Sequence, residues 1–252
     1  MDSEIDKFRE LTAYHEASHL VVSLLCSLKL SKFNRPEAVT IRVVEGEPYG
    51  PNFVHTPPPI ELKKGVDINA DTVTQLFGSC FFLLSGYTST KVFYNRGFHF
   101  ISQINIEGKG NLTKETEINY ISIDDQLDRA DCVHDIEKVK ERIEILFNRS
   151  FSNNMVDRNK LTSIITFITD QVYHLMNERP VKEAIEIVKD KLIARNTELI
   201  KDDEIKKLNK EIAPLLSKID ISKYLDKCRL AFENDDWRVE PTGGGIDFNL
   251  FG

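Results

Sequence analysis

Leu11-Thr12-Ala13-Tyr14-His15-Glu16-Ala17-Ser18-His19-Leu20-Val21-Val22 lies inside a longer stretch, residues 3 to about 30, with a helical signature. Ile5, Phe8, Ala17, Leu20, Val21, Leu24 and Leu28 recur at spacings of three and four, which predicts one helix with an apolar stripe. Residues four apart on a helix differ by about 40° in azimuth, so the imidazoles of His15 and His19 point the same way. Two neutral imidazoles so placed can hold one Zn²⁺ at about 2.0–2.1 Å each. Glu16 stands beside that pair and off the metal. There a carboxylate can take a proton from water and pass it to a leaving amine. Thr12, Ser23 and Cys26 share the histidine face and leave room for a site, while the apolar stripe anchors the helix elsewhere.

Downstream, Pro36 stops the helix and the pattern changes. Val39, Ile41 and Val43 alternate with Thr40 and Arg42, a strand signature of period two. Gly46, Pro48, Gly50 and Pro51 predict a turn, followed by a short extended segment around Phe53-Val54. Helical patterns return at Asp71 to about Tyr94, very apolar, and at Asp124 to about Phe147, charged and amphipathic. They return again at Lys160–Glu178, Val181–Arg195, Asp202–Lys210 and Ser222–Phe232. Residues 95–121, with Gly97, Gly108, Gly110 and Asn111, read as a long loop or small hairpin. The expected fold is mainly α with a small β-sheet. Residues 1–234 form one domain, with the metal helix and sheet in 1–120 and a helical part in 121–234. Residues 235–252, including Gly243-Gly244-Gly245, are a flexible tail.

Composition narrows the functional classes. The 252 residues are 41% hydrophobic and 29% charged, enough for a real core. The net charge of -7 and pI of about 5.5 argue against a nucleic-acid partner, whose phosphates call for clustered Lys and Arg. Cys26, Cys80, Cys132 and Cys228 form no C-x-x-C pair and read as buried free thiols rather than a disulfide framework. The acidic start Met-Asp-Ser-Glu lacks a signal-peptide order, and Leu76–Tyr87 is too short for a bilayer. A cytoplasmic protein without a membrane segment is expected.

The run Ala13-Tyr14-His15-Glu16-Ala17-Ser18-His19 resembles the metal-binding helix of the FtsH-type zinc peptidase domain, whose usual run is A-Y-H-E-A-G-H-A. Ala38-Val39-Thr40-Ile41-Arg42 with Gly50 resembles that family's V-T-I strand and following glycine. Leu83-Leu84-Ser85-Gly86-Tyr87 resembles its L-A-G-R helix, without the acidic pair that usually follows. Val181-Lys182-Glu183-Ala184-Ile185 through Glu204-Ile205 resembles its final helices. The likeness spans about residues 11 to 210 and is closest at the metal helix.

The resemblance implies a zincin-like fold and a third metal ligand from an aspartate at the start of a later helix. In Ser122-Ile123-Asp124-Asp125-Gln126-Leu127-Asp128 that points to Asp125 first, with Asp124 as the alternative and Asp128 third. One of the two leading acids can cap the helix instead. Ser18 stands where the family has glycine, and residues 91–121 are longer than its equivalent. The resemblance also implies a ring-forming ATPase partner module, yet no G-x-x-x-x-G-K-[ST] occurs in this sequence. The leading expectation is therefore a zinc metallopeptidase, with Glu16 as the catalytic carboxylate, that cleaves extended peptide or protein segments without ATP. It would act as a monomer or small oligomer. The alternative is a non-catalytic zincin-like module that binds a partner protein. A third possibility is a protease devoted to one partner. The strand at Val39–Val43 offers two roles, a sheet edge for an extended peptide or a cover for the core. His55, His99, His134 and His174 have no ligand partner at helical spacing and read as surface or core histidines.

Overall fold

The computed structural model describes residues 2–31, 33–41, 53–55, 68–94, 123–150, 156–195 and 199–239. Side chains are described from residue 9 in the first helix and from residue 135 in the third. The elements run α1 (Asp2–Lys29), β1 (Ala38–Thr40), β2 (Phe53–His55), α2 (Ala70–Tyr94), α3 (Ile123–Ser150), α4 (Arg158–Met176), α5 (Arg179–Arg195), β3 (Ile200–Lys201), α6 (Asp202–Leu216) and α7 (Ser222–Asn234). The chain is thus mainly α with a small sheet, as its periodicities predict. The loop expected at 95–121 and the turn at 46–51 lie outside the described residues.

α1 is the axis of the molecule. Its pattern predicts one buried stripe, but every residue from Leu11 to Cys26 is buried. The reason is that α2, α3, α5, α6 and β1 all pack on it, so its polar face is enclosed as well. On one side, the Tyr14 hydroxyl donates to Glu186 Oε1 at 2.8 Å and Arg9 Nη2 donates to the Ile193 carbonyl at 2.6 Å, tying α1 to α5. The Tyr14 ring stacks on Phe93 of α2 at 4.4 Å between centroids. Burial, reinforced by the bond to Glu186, pushes its phenol up to about 12. Tyr14 is a packing and anchoring residue.

On the other side α2 lies against α1 at unusually short range. A Cβ at Gly78 would sit 2.6 Å from Leu30 Cδ1, and one at Gly86 would sit 2.4 Å from His19 Nε2. Only glycine fits either contact without a shift. α3 then packs on α2 with an inward stripe of Ile136, Val139, Ile143, Leu146 and Phe147, at the spacing its sequence predicts.

The sheet has the order β2-β1-β3. β1 pairs antiparallel with β2 (Ala38↔His55, Val39↔Val54, Thr40↔Phe53) and with β3 (Ala38↔Lys201, Val39↔Ile200). It is therefore the central strand, and its expected role as a free edge is excluded along Ala38 and Val39. The third strand arrives from the far end of the chain, a pairing that local periodicity cannot show. Asn209 of α6 anchors the entry to β1 through a 3.2 Å bond to the Pro36 carbonyl. α6 itself runs past the expected end at Lys210 and takes Pro214 into its last turns, because Ile205, Leu208, Ile212 and Leu216 continue one buried face.

The boundary of the tail also moves. Trp237 is 8% exposed and packs on Phe77, Phe147 and Phe167, with ring centroids 5.7–6.2 Å apart. Trp237 thus belongs to the core, while Asp235 and Arg238 beside it are exposed, and Lys160 Nζ meets Asp235 at 2.7 Å. Cys26, Cys80 and Cys228 are buried free thiols, as expected, and burial pushes the Cys80 thiol up to about 12. Cys132 lies outside the described side chains. Among the described residues no helix is long and apolar enough to cross a membrane.

Ser18 is fully buried and its hydroxyl has no hydrogen-bond partner among the described residues. An unsatisfied buried hydroxyl costs about 1–3 kcal/mol, and alanine is also the better helix former. Ser18→Ala is expected to raise the thermal midpoint by about 2–4 °C, read by calorimetry at fixed metal loading. A lower midpoint would mean that the hydroxyl is engaged.

Candidate metal centre

α1 presents His15 and His19 one turn apart on the face enclosed by α2 and α3. Their Nε2 atoms are 3.0 Å apart. Asp135, on α3, brings Oδ2 to 3.1 Å from His19 Nε2 and 3.7 Å from His15 Nε2. Among the described residues this is the one group of three or more His, Cys, Asp or Glu side chains whose ligand atoms converge. His15, Glu16 and His19 are 7%, 4% and 5% exposed, so the cluster is enclosed rather than a chance surface arrangement.

The geometry can be tested against a metal. A tetrahedral zinc site with bonds of about 2.0–2.1 Å has ligand–ligand edges of about 3.3–3.4 Å. The three separations here, 3.0, 3.1 and 3.7 Å, bracket that edge. A point less than about 1 Å out of their plane is within about 2.1 Å of all three atoms. A side chain at position 86 would invade that space: its Cβ would lie 2.4 Å from His19 Nε2 and 2.6 Å from His15 Nε2. The donor set is two imidazoles and a carboxylate, which suits zinc with a fourth position open. The residues fit a bound divalent ion.

Electrostatics agree. Burial alone would raise the Asp135 carboxyl, but the charge of His19 and hydrogen bonds from both imidazoles overcome it and hold the group well below the usual carboxylate range. Asp135 is the cluster's fixed negative charge. His19 is also held from behind. Its Nδ1 lies 2.7 Å from the Phe82 carbonyl and 3.4 Å from Ser85 Oγ.

The structure therefore brings together His15 and His19, with Glu16 next to them in the chain, as the H-E-x-x-H spacing predicts. The expected Asp125 and its alternative Asp124 lie on α3 with side chains outside the described residues. The aspartate that the described residues place at the histidines is Asp135, ten positions on. The sequence does hold a signal for Asp135: it directly precedes the stripe that starts at Ile136 and lies at its edge. His174 takes the role of a half-buried histidine beside an acid, 3.6 Å from Asp170. The side chains of His55, His99 and His134 are outside the described residues.

Comparison with models of known protein families gives no match, and comparison with curated proteins gives none either. The likeness to FtsH-type peptidases rests on the residues quoted above.

Zinc content reads the ligand set directly. Purified wild type is expected to hold about one zinc per chain by elemental mass spectrometry, consistent with three protein ligands. His19→Ala, Asp135→Ala and Gly86→Ala should each lose it, weakening binding by more than the about 100-fold that an outer-sphere loss costs. Asp125→Ala should keep it. Zinc retained in Asp135→Ala and lost in Asp125→Ala would reverse the assignment.

Proposed function

We propose that this chain is a zinc-dependent peptidase with a zincin-like, FtsH-type catalytic domain, hydrolysing peptide bonds in extended segments without ATP. The observation that carries the reading is the convergence of His15 Nε2, His19 Nε2 and Asp135 Oδ2 within 3.0–3.7 Å, with a buried acid, Glu16, next to His15 in the chain. His15, His19 and Asp135 would hold the metal. A zinc ion so bound supplies Lewis acidity, polarising a scissile carbonyl and making water acidic enough to attack near neutral pH.

Glu16 supplies the proton traffic. It follows His15 directly, about 100° round the helix, so it stands beside the ligand face and not on it. Its carboxylate accepts the proton of the attacking water and returns it to the departing amine nitrogen, which completes hydrolysis with no net proton change. At 4% exposure the group works out of bulk water, where a proton transfer is not short-circuited by solvent.

The substrate proposed is a segment that is already extended: a tail, a loop or a short peptide. Three buried free thiols suit a reducing compartment, the cytoplasm.

Cleavage of an unstructured polypeptide by the zinc-loaded chain tests the reading. Glu16→Gln should keep its zinc and lose about 10²–10⁴-fold in rate, the usual contribution of a general acid–base group. If zinc-loaded wild type cuts no unfolded substrate, or Glu16→Gln cuts as fast, the peptidase reading fails. A chain that then retains a partner protein would be the binding module.

A further inference from the structure

Beyond the metal centre, the seam where α2 meets α1 and α3 stays polar although it is buried. Two sets of contacts fix how α2 and α3 run past each other. At one end Gly86 and Asp135 both face the paired imidazoles, and at the other Phe77 and Phe147 both pack on Trp237. The two helices are therefore antiparallel, and seven residues back along α2 lies level with seven residues on along α3. Those residues are Ser79 and Arg142. Seven residues turn a helix by about 700°, about 20° short of two full turns, so each stays on the face that Gly86 or Asp135 presents to the metal centre. The charge of Arg142 reaches α2 at this level: burial raises the Cys80 thiol, next to Ser79, and Arg142 draws it part of the way back.

Arg142 Nη1 is buried and has no hydrogen-bond acceptor among the described residues. Its own helix supplies none, since the residues three and four away are Lys138, Val139, Ile145 and Leu146. Along the same seam Ser79 Oγ and, one turn further, Gln75 Oε1 are also buried without a partner among the described residues, as is Ser23 Oγ on α1, one turn past His19. A guanidinium keeps its charge at any ordinary pH, so a buried N–H on it calls for an anion. Arg142 as a whole is only half-buried, so its side chain links the seam to solvent. We infer that Arg142 is the specificity-determining residue of this site, binding a carboxylate of the peptide about three residues from the bond that is cut. Seven helical residues rise about 10.5 Å, and an extended peptide covers that length in about three residues. The planar fork of N–H donors takes both oxygens of a carboxylate, and the Ser79 hydroxyl offers a further donor at the same level. That carboxylate is an Asp or Glu side chain or the end of the peptide chain, which share one chemistry.

The inference rests on the peptidase reading for its distance to the scissile bond; the carboxylate site itself is a binding property and is tested as one. Binding is measured by fluorescence anisotropy in the full chain carrying Glu16→Gln, with zinc added, so that no peptide is cut. Three labelled, otherwise uncharged peptides are the probes: one with an internal Glu and an amidated end, one with Gln in its place and a free C-terminal carboxylate, and one with Gln and an amidated end. At least one carboxylate peptide should bind about 10–100-fold more tightly than the neutral one, the gain of a hydrogen bond to a charged group, and which of them does so names the source. Arg142→Gln should bring that peptide down to the neutral level without changing the neutral peptide's affinity or lowering the thermal midpoint. Arg142→Lys should keep part of the preference. Equal binding of all three peptides, or an undiminished preference in Arg142→Gln, overturns the inference. In zinc-loaded wild type the same preference should appear in KM rather than kcat. If wild type cuts no peptide, the peptidase reading fails, and the affinities still decide whether Arg142 binds a carboxylate.

Discussion

The close approach of α1 and α2 at Gly78 and Gly86 is the constraint from which the rest follows. With a Cβ at either position the helices would have to separate or their side chains shift, since the nearest atoms would be 2.6 Å and 2.4 Å away. Separation at Gly86 would draw Phe82 from His19 and open the space between the imidazoles. The distance between two helix axes, a packing quantity, is thus also the dimension of the candidate site.

That arrangement is expensive for the fold. A helix buried on all sides would be most stable if wholly apolar, yet α1 encloses Thr12, His15, Glu16, Ser18, His19 and Ser23. Each buried polar group must find a partner or cost about 1–3 kcal/mol. Tyr14 and Arg9 offset part of this by tying α1 to α5, and α2 partners His19. For His15 and His19 a divalent ion would complete the set. Three lone-pair donors aimed at one point repel one another, and a cation between them turns the repulsion into attraction. The polar face of α1 is best understood as a binding surface built into a core.

How far the sequence discloses this depends on the range of each interaction. The seven described helices are legible: α3 to α7 bury one face with a 3.6-residue period, and α1 and α2, buried nearly all round, show as long helical stretches rich in apolar residues. The hairpin of β1 and β2 is legible from alternation and turn residues. The pairing of β3 with β1 is not, since two residues carry no period. Trp237 was hidden by the glycines that follow it. His15, Glu16 and His19 can be read directly because one helix turn sets their relation. Asp135 cannot, and the reason is geometric. Relative to Asp135, Asp124, Asp125 and Asp128 fall at about -20°, 80° and 20° round an ideal helical wheel, so the sequence period does not separate the four. Periodicity selects the face and says nothing about the level along the axis. The level is decided by how α3 docks on α2 and α1, a tertiary fact.

The charge of the donor set bears on why Glu16 is kept off it. A metal would be met by the imidazoles of His15 and His19, and the group behind His19 is the Phe82 carbonyl rather than a carboxylate. Among the described residues Asp135 would be its one negative ligand, so a divalent ion held here would retain about one positive charge. In the proposed reaction that residual charge would polarise a carbonyl, and a second carboxylate on the ion would reduce it. Glu16, on the same helix turn but a quarter-turn away, supplies the balancing negative charge at a distance. Under the proposed mechanism it takes the proton and brings the buried site closer to neutral overall.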